Sequence, residues 1–143
     1  MIDASSKPST AGLGANVIIS RILENKSSTI LVVDDDCMMC EWLADVLGEA
    51  GYSVRVVSDG KAVAREIRST PIDLLITDIV MPEQEGIETI NEVRREFPQV
   101  KIVAMSGANS SYLKIATALG ASASVLKPFT ADEIVLTVRN LIG

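Results

Sequence analysis

The chain has 143 residues, 48% of them apolar and only 3% aromatic, so one domain with an aliphatic core is expected. Thirteen basic against nineteen acidic residues leave a net charge of −6, which argues against nucleic acid as a direct partner. No stretch approaches the ~18 apolar residues of a membrane span, and no basic start followed by an apolar run marks a signal peptide, so a cytoplasmic protein is expected.

Residues 1–28 differ in composition from the rest. Met1 to Gly14 is rich in Ser, Ala, Gly, Thr and Pro and reads as a flexible arm. Just after it, Ile18 with Ile22 and Ile19 with Leu23 fall at helical spacing, with Asn16 as a cap. This short helix is expected to dock on the domain or on a second copy of the chain, giving a homodimer.

From Thr29 onward, through residues 29–143, apolar runs alternate with helical patterns, the signature of βαβ units. A strand at 29–33 leads to a helix near 37–50, with Asp36 as N-cap, an inner face of Met39, Leu43, Val46, Leu47 and Ala50, and Gly51 as terminator. A strand at 53–57 follows, then a helix near 60–69. Ile72, Leu74, Leu75 and Ile76 form a run apolar on both faces, read as a buried central strand at 72–77. Helices near 86–96, 110–119 and 130–141 alternate with strands at 100–105 and 123–126. Thr130 caps the last helix with a capping box read as incomplete. The fold class is therefore α/β, a doubly wound, flavodoxin-like parallel sheet of order 2-1-3-4-5 with helices on both faces.

Ligands of such sheets bind beyond the carboxyl ends of the strands. The first strand ends in Asp34 and Asp35, the third in Asp78, the fourth in Ser106 and the fifth in Lys127. Strands one and three are neighbours in this order, so the carboxylates cluster and repel unless a cation joins them. Mg²⁺, an oxygen-seeking ion commonly held by one or two carboxylates and a phosphate, suits the set. Lys127 adds a point charge and Ser106 a hydroxyl. The site fits a phosphoryl group whose acceptor is water or one of the carboxylates.

The chain contains no histidine, which excludes a His nucleophile, base or phosphocarrier. Cys37 and Cys40 form a lone CxxC, too few ligands for zinc, and read as reduced thiols on a helix.

Val33-Asp34-Asp35-Asp36, Asp78 followed by Met81-Pro82 and Gly86, Ser106-Gly107, and Lys127-Pro128-Phe129 together resemble the receiver domain of two-component response regulators. The resemblance implies that Asp78 is the phosphoacceptor, fed by a sensor histidine kinase or a histidine phosphotransfer protein. It implies Mg²⁺ held by Asp35, Asp78 and the Val80 carbonyl, with Asp34 acting largely through water. Ser106 would sense the phosphoryl group, and Lys127, after a cis Lys127-Pro128 bond, would pair with Asp78 and then with that group. Such a chain is no enzyme in the usual sense, although it catalyses its own phosphoryl transfer and slow dephosphorylation. With no effector domain after Gly143, a stand-alone receiver read by an unknown downstream protein is expected.

The family pattern is broken in places. Ser124 stands where an aromatic switch residue is usual, Cys40 where helix one often carries Arg, Gln84 where Met is common, and Ser106 where Thr is frequent. A phosphatase of the haloacid dehalogenase type would need Thr or Val at the fifth position of Asp34-Asp35-Asp36-Cys37-Met38. A receiver-like scaffold working without phosphorylation would not need Asp35, Asp78 and Lys127 intact.

Overall fold

A computed structural model describes residues 27–79, 85–107 and 110–143. Chain order is β1 (Thr29–Val33), α1 (Cys37–Glu49), β2 (Ser53–Val57), a single 3-10 turn (Gly60–Ala62), α2 (Val63–Ser69), β3 (Leu74–Asp78), α3 (Glu85–Glu96), β4 (Lys101–Ser106), α4 (Ser110–Ala118), β5 (Ala123–Leu126) and α5 (Ala131–Ile142). The strands form one parallel sheet in the order β2-β1-β3-β4-β5, the expected doubly wound topology.

Period-2 alternation divides the core into two halves. Leu31, Val33 and Leu75 turn to one face and pack with Val63 and Ile67 of α2, Ile90 and Val93 of α3 and Ala116 of α4. Ile30, Val32, Leu74, Ile76, Val103 and Met105 turn to the other, against Cys40, Leu43 and Leu47 of α1 and Ile134 and Val138 of α5. All of β3 is buried, as its continuous apolar run requires. Truncating Leu75, fully buried between these layers, to Ala would cost roughly 2–5 kcal/mol.

Several boundaries differ from expectation for local reasons. The central strand starts at Leu74 and runs through Asp78, because Asp78 still pairs with Met105 of β4. Upstream, Asp73 is a tether, its carboxylate accepting from the Thr29 amide at 2.8 Å. The helix expected near 60–69 opens with the 3-10 turn, since Asp59 caps the Lys61 amide at 2.8 Å. The innermost residues of α1 are Cys40, Leu43 and Leu47; Met39, Val46 and Ala50 are only partly buried. The capping box of α5 is complete, correcting the sequence reading: Glu133 N–H donates to the Thr130 hydroxyl at 3.1 Å, and Thr130 N–H to the Glu133 carboxylate at 2.7 Å. Gly51, with φ +105°, takes the left-handed conformation that ends α1.

Candidate functional site

Register builds the site. Val33 pairs with Thr77, so the next residues, Asp34 and Asp78, leave neighbouring strands side by side. Ser106 pairs with Leu126, and Lys127 follows at the end of β5, its amide donating to the Ser106 carbonyl at 2.8 Å. The Lys127-Pro128 bond is cis, as expected.

Asp34, Asp35 and Asp78 each place a carboxylate oxygen within 4.8 Å of the others. Asp34 and Asp78 are buried, 1% and 6% exposed, whereas Asp35 faces solvent. Lys127 Nζ donates to Asp34 Oδ2 at 2.9 Å and to Asp78 Oδ2 at 3.3 Å. Burial pulls the lysine pKa down, but the hydrogen bond to Asp34 and the charges of Asp78 and Asp34 outweigh it and hold the ammonium above its ordinary value. Lys127 is therefore a fixed positive charge at neutral pH. The Asp34 carboxylate also takes the Asp36 amide at 2.9 Å, and Asp36 in turn caps α1 by accepting from the amides of Met38 and Met39.

Of the residues singled out from sequence, Asp34, Asp35, Asp78 and Lys127 come together as one cluster. Ser106, buried at the end of β4, is joined to Lys127 through the backbone. Ser124 sits half-buried in β5 opposite Ala104. Val80, Gln84 and the segment 15–25 lie outside the described residues.

Three features were not anticipated. The first is the direct Lys127–Asp34 pair, which adds to the water-mediated role expected of Asp34. A buried strand-end carboxylate needs a compensating charge, and that requirement was a usable signal. The second is Gly86 in the first turn of α3: a Cβ there would fall on the Asp78 carbonyl oxygen and 2.5 Å from Ile79 Cα, so only glycine lets this backbone pass so close. The third is Cys40, whose thiol donates to the Asp34 carbonyl at 3.3 Å and whose pKa burial, aided by the Asp34 charge, pushes up to about 11.

Chemically, the cluster is a hard-oxygen donor set. Lys127 is engaged with Asp34 and Asp78, and Asp35 stays open to solvent, an arrangement that fits a small divalent cation retaining water and accepting a phosphate.

A family model of the response regulator receiver domain matches residues 30–139. Among curated proteins, the transcriptional regulator ZraR of Klebsiella oxytoca is 34% identical over 80% of this chain and 26% of its own length. The DNA-binding transcriptional regulator NtrC of Azospirillum brasilense is 32% identical over 82% of the chain and 24% of its own length. The chain thus spans about a quarter of each of these relatives. Among solved structures, the receiver domain of NtrX from Brucella abortus superposes with a TM-score of 0.75 at 26% identity, covering 79% of this chain and 97% of that one. The chemotaxis protein CheY4 of Vibrio cholerae shares the fold, with a TM-score of 0.76 at 24% identity over 82% of this chain and 100% of that one.

Proposed function

The chain belongs to the response regulator receiver domain family, and we propose that it is a phosphoryl switch: Asp78 accepts a phosphoryl group from a phosphohistidine of a sensor histidine kinase or a histidine phosphotransfer protein, with Mg²⁺ at Asp34, Asp35 and Asp78. The observation that carries this is the convergence of Lys127 and the carboxylate cluster on the end of the central strand.

An Asp78 carboxylate oxygen attacks phosphorus as the phosphorus–nitrogen bond breaks, and the imidazole nitrogen leaves with the bonding pair. The product is an aspartyl phosphate, which water later hydrolyses. In flight, charge spreads over the three equatorial phosphoryl oxygens, so catalysis is positioning and charge neutralisation. Asp34, Asp35 and Asp78 would hold Mg²⁺, which would supply positive charge to those oxygens. Lys127, already 3.3 Å from Asp78 Oδ2, supplies a second, and burial of Asp78 limits competing water. Ser106, brought beside Lys127 by the backbone bond, supplies a hydroxyl to the bound group.

A protein donor suits the surroundings of the crevice. Met38, in the first turn of α1, is 80% exposed, and Trp42 one turn on meets the Phe129 ring with 5.8 Å between centroids. These apolar side chains flank the residues that hold the cluster and suit the docking of a helical partner.

The test is a small phosphodonor with Mg²⁺, read by intact mass. The wild type should gain a single phosphoryl group that decays, and Asp78→Asn should gain none. Undiminished labelling of the Asn variant would place the acceptor elsewhere; continuous donor turnover without a labelled protein would indicate a phosphatase.

A further inference from the structure

We propose that Cys37 and Cys40 form a redox-active dithiol whose closure to a disulfide displaces Asp34 in the acidic cluster. The two residues occupy the first turn of α1 at i and i+3, on one helix face. Both line the same cavity of about 240 Å³, with Ala44, Val56 and Ser58 around them. Cys37 is exposed and meets an oxidant first; Cys40, buried and with its pKa raised to about 11, closes the disulfide slowly at neutral pH.

The i, i+3 spacing is one that a disulfide bridges after a small backbone movement. Cβ atoms at i and i+3 lie about 5–6 Å apart, and a disulfide draws them to roughly 4 Å. Closing that gap strains the cap of the first turn, in which the Cys40 amide donates to the Asp36 carbonyl at 3.1 Å. The amides of Met38 and Met39 are held by the carboxylate of the same Asp36, the residue directly before Cys37, so strain in the turn falls on Asp36.

Asp34 is tied to Cys40 and to Asp36, the residue before Cys37. Its carbonyl accepts from the Cys40 thiol at 3.3 Å, and its carboxylate accepts from the Asp36 amide at 2.9 Å. Oxidation removes the thiol donor and pulls the Asp36–Cys37 segment inward, so both contacts change together. The same carboxylate holds Lys127 at 2.9 Å, and the disturbance reaches the lysine.

The oxidant is a small-molecule disulfide of the glutathione type. The Cys37 sulfur attacks one of its sulfurs, its S–S bond breaks, and the departing thiolate takes the Cys37 proton. The Cys40 sulfur then attacks the Cys37 sulfur of the mixed disulfide and expels a second thiol, which carries away the Cys40 proton. Two protein thiols are oxidised to one disulfide, and one disulfide is reduced to two thiols.

The centre itself stands on the contacts above; its effect on phosphoryl uptake rests on the function proposed for Asp78. The full chain is titrated with oxidised glutathione. Intact mass should show loss of two hydrogens, reversed by a reductant, while Cys37→Ser should not lose them. The amide resonances of Asp35 and Asp36 should shift on oxidation in the wild type. Uptake from a small phosphodonor should slow by roughly ten- to a hundredfold, the effect of ångström-scale misplacement of a positioning group. Glutathione adducts without a disulfide would overturn the proposal, as would a disulfide that leaves both amides unmoved. A reduced protein that takes no phosphoryl group would defeat the proposed function instead, leaving the dithiol to be judged by mass and amide shifts. Equal uptake by reduced and oxidised protein would sink the coupling.

Discussion

Lys127 Nζ lies nearer to Asp34 Oδ2, at 2.9 Å, than to Asp78 Oδ2, at 3.3 Å. Asp34 is the more deeply buried carboxylate, and Lys127 is the cation paired with it. Removing one partner of a buried pair strands the other charge. Lys127→Met should therefore destabilise the metal-free protein by on the order of 2–4 kcal/mol, the buried-pair value discounted for the open side of the crevice. Saturating Mg²⁺ should shrink that deficit, since a cation then faces the same carboxylates. Urea unfolding with and without Mg²⁺ measures both, and an identical deficit in the two conditions would separate the lysine from the metal site.

Gly86 gives a steric prediction. A methyl group there meets backbone atoms of Asp78 and Ile79, which cannot rotate aside. Gly86→Ala should move the carbonyl side of Asp78, slow the proposed phosphoryl uptake about tenfold or more, and lower the melting temperature. Uptake kinetics on protein shown to be folded by circular dichroism decide it. Unchanged kinetics would mean that the first turn of α3 is free to retreat.

Metal binding should be measurable without phosphate, because three clustered carboxylates favour a cation. Mg²⁺ should raise the melting temperature, with about 2.7 kcal/mol of stabilisation at a hundred times its dissociation constant. Asp35→Asn, changing the exposed member of the cluster, should weaken that rise while leaving the fold intact. A full rise in this variant, followed by calorimetry, would put the ion elsewhere.

The fold was readable because its signals are local and mutually consistent. The apolar run ending at Leu74 to Ile76 becomes a strand buried on both faces, and Gly51 closes α1 as its position suggests. Strand order then placed Asp34 beside Asp78 without any coordinates. What escaped were distances set by tertiary packing. Nothing local distinguishes a lysine that prefers Asp34 from one that prefers Asp78, nor a glycine that marks a turn from one that lets Asp78 and α3 touch. Cys40 was read as a bland thiol because its partner is a backbone carbonyl, which leaves no mark in the sequence.

Ser27 meets Ser53 at 3.0 Å between hydroxyls, and the Ser53 amide donates to the Ser28 carbonyl at 3.0 Å, so the first described residues are fixed at the start of β1, the end of the sheet opposite the crevice. If Ile18, Ile19, Ile22 and Leu23 dock as their spacing suggests, deleting residues 1–26 should lower stability or change the sedimentation coefficient. Phosphoryl uptake should be unaffected. No change in either property would make the segment a passive extension.

For the proposed phosphoryl switch, Ser124 sets an expectation for the route by which the signal leaves the site. It lies opposite Ala104 in the sheet, and a hydroxymethyl group cannot trade exposed and buried rotamers as an aromatic ring does. The mobile part must then lie on the β4 side. Ser106 is the last residue of β4, its carbonyl bonded to the Lys127 amide, and Gly107 follows it alongside the Lys127 stem, where an added Cβ would lie 3.6 Å from the Lys127 Cβ. A hydroxyl drawn toward a phosphoryl group pulls this backbone with it, and glycine accepts the dihedral change. Amide hydrogen exchange with and without a phosphoryl mimic should change most over 106–113 and little over 123–126. Ser124→Tyr should restore a response in β5. A change centred on β5 in the wild type, or a tyrosine that alters exchange in neither state, would refute a backbone-driven switch.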